Sequence, residues 1–245
     1  MSDWKRPASV PFPSIWGKFE GIKVVDGKKR QYWIQDITND LLELAINYMT
    51  TGFLHEEAFS KNHKSFEDPV TVEDTRKLWK YFSEHKLGLI CLTKNESGQN
   101  EIAAINMNYR STKNESVDTS WVKSKKIRLF LVLMQYIYGM VDLYETLNID
   151  HQMRAFGLFV LPKYRGEGIG VEMFKSRELL CRAVGIPASS GVFSSLTSQA
   201  VGKKAGFIEL VDVTHDELEK VNPNFVAPGM REAAKSLKYM YIIYK

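Results

Sequence analysis

The chain has 245 residues, 44% of them hydrophobic and 25% charged, with a formal net charge of +4 at pH 7. That is enough chain for one substantial core and too ordinary a composition for a disordered tail, a collagen-like repeat or a disulfide miniprotein. Basic and acidic residues are interspersed and nearly balanced, so nucleic acid is not an expected partner.

Cys91 and Cys181 lie in apolar runs without CxxC or CxxH neighbours, which reads as free thiols in a reducing compartment, and no metal is expected. The opening Met1-Ser-Asp-Trp has no apolar signal region, so a cytoplasmic location is expected. The longest uncharged apolar stretch, residues 129–141, is shorter than the roughly 20 residues a helix needs to cross a bilayer, so no membrane span is expected. Asn95-Glu-Ser97 and Asn114-Glu-Ser116 match the glycosylation acceptor pattern, which matters only in a secreted chain.

Residues 1–30, rich in Pro, Trp, Gly and Lys without sustained periodicity, read as an N-terminal extension, and residues 31–245 as a single domain. Residues 31–37 (QYWIQDI) alternate as a strand does. A helix follows, with Asp40 and Glu43 in capping-box spacing and Leu41, Leu44, Ala45, Tyr48 and Met49 on one face. Thr71 and Asp74 give a second such start, before a stripe of Leu78, Trp79 and Phe82. Strands at 88–94 and 101–109 flank a turn-rich segment, and a long helical stretch over about 123–147 comes next. Residues 154–161 read as a central strand stopped by Pro162. Beyond a glycine turn at 165–170 come a helix ending near Gly185, a strand at 191–193, a helix at 195–204 and strands at 207–213 and 237–244. The order implies one mixed α/β domain.

The informative segment is Phe159-Val-Leu-Pro-Lys-Tyr-Arg165-Gly-Glu-Gly168-Ile-Gly170, a strand feeding a glycine turn into a helix start. Such a corner gathers unpaired N–H groups at the positive end of a helix dipole, which makes an anion cradle. The GK[ST] ending of a P-loop and the spacing of the dinucleotide fingerprint are both absent. Arg165-x-x-Gly168-x-Gly170 instead resembles the pyrophosphate loop of the GCN5-related N-acetyltransferases, and Ala205-Gly206-Phe207 resembles a second signature of that superfamily.

The resemblance spans roughly residues 31–245. It implies a mostly antiparallel mixed sheet flanked by helices, with a helical insertion before the fourth strand. It also implies acetyl-CoA as co-substrate, held by Arg165, Gly166, Gly168, Ile169 and Gly170.

Within the superfamily the chain resembles the insect-type arylalkylamine N-acetyltransferases. Phe53-Leu-His-Glu56-Glu57-Ala58-Phe59 is similar to their F-x-x-D-E-P-L, with Glu56 for Asp and Ala58 for Pro. The resemblance puts the catalytic glutamate on Glu57, with Glu56 beside it as the alternative, and the two functional serines on Ser194 and Ser198.

Chemistry gives these residue types a purpose. An alkyl amine with a pKa near 10.4 is ammonium at neutral pH and needs a base before it can attack; Glu57 is the candidate. Charge growing on a thioester oxygen needs a prearranged donor, here a backbone N–H near Phe159 or Val160. A departing thiolate can take a proton from Ser198, with Ser194 holding water or substrate; otherwise both serines simply cap the helix that follows. Phe130, Met134, Tyr136, Tyr138 and Tyr144 of the insertion either wall an amine pocket or fill the core.

The reading is therefore an acetyl-CoA-dependent N-acetyltransferase acting on a small arylalkylamine, as a monomer or weak dimer. Alternatives are agmatine or polyamine acetylation, protein acetylation, or a non-catalytic acyl-CoA-binding protein.

Overall fold

Alternation along the strands sorts the apolar side chains onto two faces of one sheet, and helices cover both. The structure, a computed structural model, describes residues 4–25, 27–113 and 118–244; the Asn114-Glu-Ser116 sequon lies outside them.

In chain order the elements are β1 (Ile15–Val25), β2 (Lys28–Asp36), α1 (Asn39–Tyr48), α2 (Leu54–Glu56), α3 (Ala58–Asn62), α4 (Pro69–Ser83), β3 (Leu89–Lys94) and β4 (Asn100–Thr112). Then come α5 (Lys125–Gly139), α6 (Leu143–Leu147), β5 (His151–Val160), α7 (Ile169–Val184), β6 (Ala188–Phe193) and α8 (Leu196–Lys204). The chain closes with β7 (Ile208–Thr214), α9 (His215–Val221), α10 (Met230–Ala233) and β8 (Ser236–Ile243). The strands form one sheet in the order β1-β2-β3-β4-β5-β6-β8-β7. Only β5 and β6 run parallel; the other neighbours are antiparallel.

On one face Tyr32, Ile34, Leu89 and Cys91 pack against Met173, Leu180 and Cys181 of α7. On the other, Ile90, Ile105 and Met107 meet Ala45, Ile46 and Met49 around α1 and Trp79 of α4. A third cluster joins Leu133 and Ile137 of α5 to Val213, Leu218 and Leu237 at the β7–β8 end. Both cysteines are buried and free, and burial raises their thiol pKa values.

Several boundaries differ from the sequence reading. The cap of α1 is Thr38, without a side-chain bond, and Glu43 instead pairs with Arg76 and Lys80 at 3.2 and 2.7 Å. Asp68, not Thr71, caps α4, accepting from the Val70 N–H. Asp74 is turned to the start of α5, accepting from the Lys123 and Ser124 N–H groups at 2.7 Å. Residues 125–147 are apolar enough to resemble one membrane-length helix, but the chain breaks after Gly139, and Asp142 caps the separate α6.

Ile15–Val25, part of the segment set apart as an extension, is an edge strand along β2. Its period is hidden by shifts in register and by Gly17 and Gly21, which put no apolar side chain at inward positions. The preceding segment is fastened at Asp36, whose carboxylate accepts from Arg6 Nη1 at 2.9 Å, Trp16 Nε1 at 2.8 Å and the Ser14 N–H at 2.8 Å.

Between α1 and α2, Met49–Phe53 form a π-helical turn. A β-carbon on Gly52 would lie 2.3 Å from the Phe159 ring. The missing side chain lets this turn press directly on β5, which fixes where the chain emerges at Glu57.

Two substitutions test these anchors. Removing one partner of a buried ion pair costs about 3–5 kcal/mol; both side chains of Arg6–Asp36 are almost fully buried, so Arg6→Ala is expected to lower the urea midpoint by a corresponding amount. Gly52→Ala overpacks the turn, at about 1–3 kcal/mol. It is expected to lower Tm, and Phe159→Leu in the same chain to recover part of the loss.

Candidate functional site

Strands β5 and β6 separate almost as soon as they meet. Their parallel pairing is confined to Met153–Ser189 and Arg154–Ser190, so from Ala155 onward this edge of β5 has no strand beside it. Register decides which groups face the opening. The Leu161 N–H donates to the Ala103 carbonyl at 2.9 Å, while Val160 lies opposite Ala104 and Phe159 opposite Ile105. By antiparallel alternation the Phe159 N–H turns toward β4 and the Val160 N–H toward the opening. Of the two candidate donors, Val160 is the one presented to the wedge. Phe159 contributes its ring, packed on Gly52 and 5.7 Å from the Arg165 guanidinium carbon.

After β5 the chain passes through a short 3₁₀ turn, Pro162–Tyr164, into the glycine corner. Gly166 (φ +81°) and Gly168 (φ +79°) are left-handed, a conformation that glycine adopts without steric cost. The amides of Gly166, Glu167, Gly168, Ile169 and Gly170 donate to no acceptor among the described residues; the next two, of Val171 and Glu172, bond to the Gly168 carbonyl at 3.1 and 3.3 Å. Five free N–H groups thus gather at the start of the 16-residue helix α7. Free donors and a helix dipole fit a diphosphate; the space left by the missing β-carbons at 166 and 168 is taken by Lys23 and Ile22 of β1.

Arg165 does not reach out unattended. Its Nη2 lies 2.5 Å from Glu56 Oε2, and its Nε donates to the Val160 carbonyl at 3.1 Å.

Glu57 sits at the N-cap of α3, half-buried. Its carboxylate accepts from the Phe59 N–H at 3.2 Å, the Ser60 N–H at 2.8 Å and Ser194 Oγ at 2.9 Å. The last bond joins residues 137 positions apart and brings the α2–α3 turn to the end of β6. The two neighbouring carboxylates therefore divide: Glu56 faces the glycine corner and Glu57 faces Ser194. Ser198 is placed differently. Ser195 caps α8, and Ser198 completes a capping box with it, its Oγ accepting from the Ser195 N–H at 3.1 Å.

Residues that sequence reading passed over hold the wedge in shape. The Arg177 guanidinium is fully buried behind the sheet, donating from Nε to Asn106 Oδ1 at 2.9 Å and from Nη1 to Ser189 Oγ at 3.2 Å. Burial pushes its pKa down to about 10, so it remains a cation at neutral pH. Asn106 Nδ2 in turn donates to the Gly157 carbonyl at 2.8 Å. A fixed donor network thus braces both strands where they part. The one visible signal was the polar Asn106 inside the apolar run of β4.

The insertion residues serve mostly as packing. Tyr138 meets Tyr239 edge-on at 5.0 Å, and the Arg154 guanidinium lies 3.8 Å from the Tyr138 ring centre. Tyr136 approaches Phe225 at 6.2 Å, and Tyr144 Oη hydrogen-bonds Ser111 Oγ at 2.8 Å. Phe130 is closest to the acidic turn, edge-on to Phe59 at 5.3 Å and to Phe156 at 5.8 Å.

No family model and no curated protein matches the chain. Solved structures do. A protein described as arylalkylamine N-acetyltransferase 7 of the yellow fever mosquito Aedes aegypti superposes with a TM-score of 0.92 at 30% identity, over 99% of this chain and 100% of that one. Drosophila melanogaster polyamine N-acetyltransferase, described as forming N-acetylagmatine, gives 0.72 at 12% identity over 86% and 99%. An acetyltransferase of Salmonella typhimurium solved with acetyl-CoA gives 0.50 at 11% identity over 87% and 94%. The last two likenesses are of fold, whereas the first covers both chains end to end at an identity that marks kinship. With its parted strands, free loop amides and end-to-end match, the chain belongs to the GCN5-related N-acetyltransferase superfamily and is similar to its insect arylalkylamine N-acetyltransferases.

Proposed function

We propose that the chain is a cytosolic N-acetyltransferase that moves an acetyl group from acetyl-CoA directly to the primary amine of a small arylalkylamine. The observation that carries this reading is the Glu57 carboxylate, set by three donors from two distant parts of the chain beside the open edge of β5.

Each group then has a task that its position supports. Acetyl-CoA, when bound, supplies the acetyl group as a thioester; the five free amides from Gly166 to Gly170 would hold its diphosphate. Glu57 binds the incoming ammonium and takes its proton, directly or through water, leaving a nucleophilic amine. Negative charge building on the carbonyl oxygen is met by the Val160 N–H, fixed in direction by the β4 ladder before any substrate arrives. Ser194 keeps Glu57 from rotating away. Ser198 is the hydroxyl assigned to return a proton to the coenzyme sulfur; its capping bonds would hold the hydroxyl in place. Preference for an aryl group is supported by Phe59, two residues beyond Glu57, and by the Phe130 and Phe156 rings packed in succession from it.

Steady-state assays with tyramine, dopamine, serotonin, histamine, agmatine and spermidine test the acceptor class, with turnover expected to be highest for the aryl amines. Higher turnover of agmatine, spermidine or a peptide would reassign the acceptor. Coenzyme binding without turnover of any acceptor would leave a binding protein.

Glu57→Gln is expected to lower kcat/KM by about 10²–10⁴. The sign of its pH dependence follows from the substrate: below the amine's own pKa, near 10.4, nearly every molecule carries the extra proton. The deficit is therefore expected to be largest at low pH and to shrink as the pH rises toward that value; a deficit constant across pH would reject a base role. Ser194→Ala should cost about tenfold or less, because the two backbone donors to Glu57 remain.

A further inference from the structure

We propose that the edge strand β1 belongs to the coenzyme site, and that the Lys23 ammonium is a phosphate ligand acting beside the glycine corner. The inference rests on the acetyl-CoA reading above and names a residue that neither the loop pattern nor the sequence comparison of motifs contains.

The geometry begins with register. Between Glu20 and Val24, β1 advances four residues while β2 advances only two, from Gln31 to Lys29. Two extra residues must leave the ladder, and a bulge of this kind re-aims the side chains it contains. Here the bulged residues lean on the corner. A β-carbon at Gly21 would lie 2.4 Å from Glu167 Oε2 and 2.9 Å from Tyr32 Cε2, so the glycine lets β1 lie close on both. Ile22 Cδ1 lies 3.2 Å from the β-carbon position of Gly168, and Lys23 Cε 3.0 Å from that of Gly166. The Lys23 N–H donates to Glu167 Oε2 at 2.9 Å, and its Nζ to the Arg165 carbonyl at 2.6 Å. Three consecutive residues of β1 thus register on residues 165–168.

Charge gives this contact its meaning. Arg165 is the loop's own cation, yet it is paired with Glu56. Glu167 adds a buried carboxylate under the same turn. A dianionic diphosphate arriving at five N–H groups would meet little free positive charge unless another cation stood there. Lys23 is exposed, forms no ion pair among the described residues and spends one of its three N–H donors on the Arg165 carbonyl; two remain for phosphate oxygens. The ammonium lies against Gly166, on the Arg165 carbonyl at the edge of the corner, so the phosphate assigned to it is the diphosphate held there and not the ribose 3′-phosphate.

Calorimetry with CoA and with dephospho-CoA, which lacks the 3′-phosphate, tests this on the full chain, the Lys23→Ala variant and the Lys23→Arg variant. Lys23→Ala is expected to weaken both ligands by the same factor, about tenfold, and Lys23→Arg to stay within about twofold of the parent chain. Thermal melts without ligand confirm that each variant is folded. Equal CoA affinity of Lys23→Ala and the parent chain would overturn the proposal. So would a loss seen with CoA but absent with dephospho-CoA, which would move the contact to the 3′-phosphate. If the parent chain itself binds neither ligand, the coenzyme reading fails first, and the proposal with it.

Discussion

The structure turns on the point where β5 and β6 stop pairing. Backbone N–H and C=O groups are almost always paired in a sheet interior, because leaving them bare and buried is costly. Here two central strands share two register positions and then part. The polar edge this exposes is the one the proposed function assigns to a thioester, and the side chains around it keep it open. Arg177, a buried cation with no carboxylate partner among the described residues, is spent on Asn106 and Ser189 on either side of the split. Asn106 passes the restraint on to Gly157. The wedge is therefore a built feature, held by charge-assisted hydrogen bonds.

Around it the chain brings together groups from widely separated positions. Glu57 depends on the π-helical turn before it, which can approach Phe159 only because residue 52 lacks a side chain. Ser194 depends on β6 ending one residue earlier. The glycine corner depends on Pro162 stopping β5 and on two left-handed glycines redirecting the chain into α7. Each local device is small, but together they place the Glu57 carboxylate, the Val160 N–H and the free amides of the glycine corner where the proposed function needs a base, a donor for developing charge and an anion cradle.

Much of this could be read from residue order. The corner at 165–170 announced itself because its glycines and its strand-to-helix setting carry chemistry locally, and Glu57 and Ser194 were reached through motif resemblance. What stayed hidden were features that depend on contact between distant segments. The division of labour between Glu56 and Glu57 follows from which of them meets Arg165 and which meets Ser194, and nothing in two adjacent identical residues could reveal it. The helix caps at Asp40 and Thr71 were plausible by spacing, but Glu43 and Asp74 found partners on α4 and at the start of α5 instead. Edge strand β1 was missed for a related reason: a strand with exposed Lys18, Ile22 and Lys23 and a two-residue bulge has no clean period of two.

Under the proposed function, the paired carboxylates also explain how one short turn would serve two ligands of opposite charge. An anionic coenzyme and a cationic amine would then lie side by side, and a single charged residue between them would favour one at the other's expense. Glu56 neutralises Arg165 and so fixes its guanidinium against the end of β5, where Nε also holds the Val160 carbonyl. That bond orients the same peptide edge whose N–H faces the wedge. Glu57, one residue on, is held by N–H and O–H donors and by no cation among the described residues, so under that reading its charge would be left to the amine. The Pro-to-Ala change at residue 58 removes one restraint on this turn, but the N-cap bonds of Glu57 replace it with another: a carboxylate that caps α3 cannot drift without unravelling the helix start it holds.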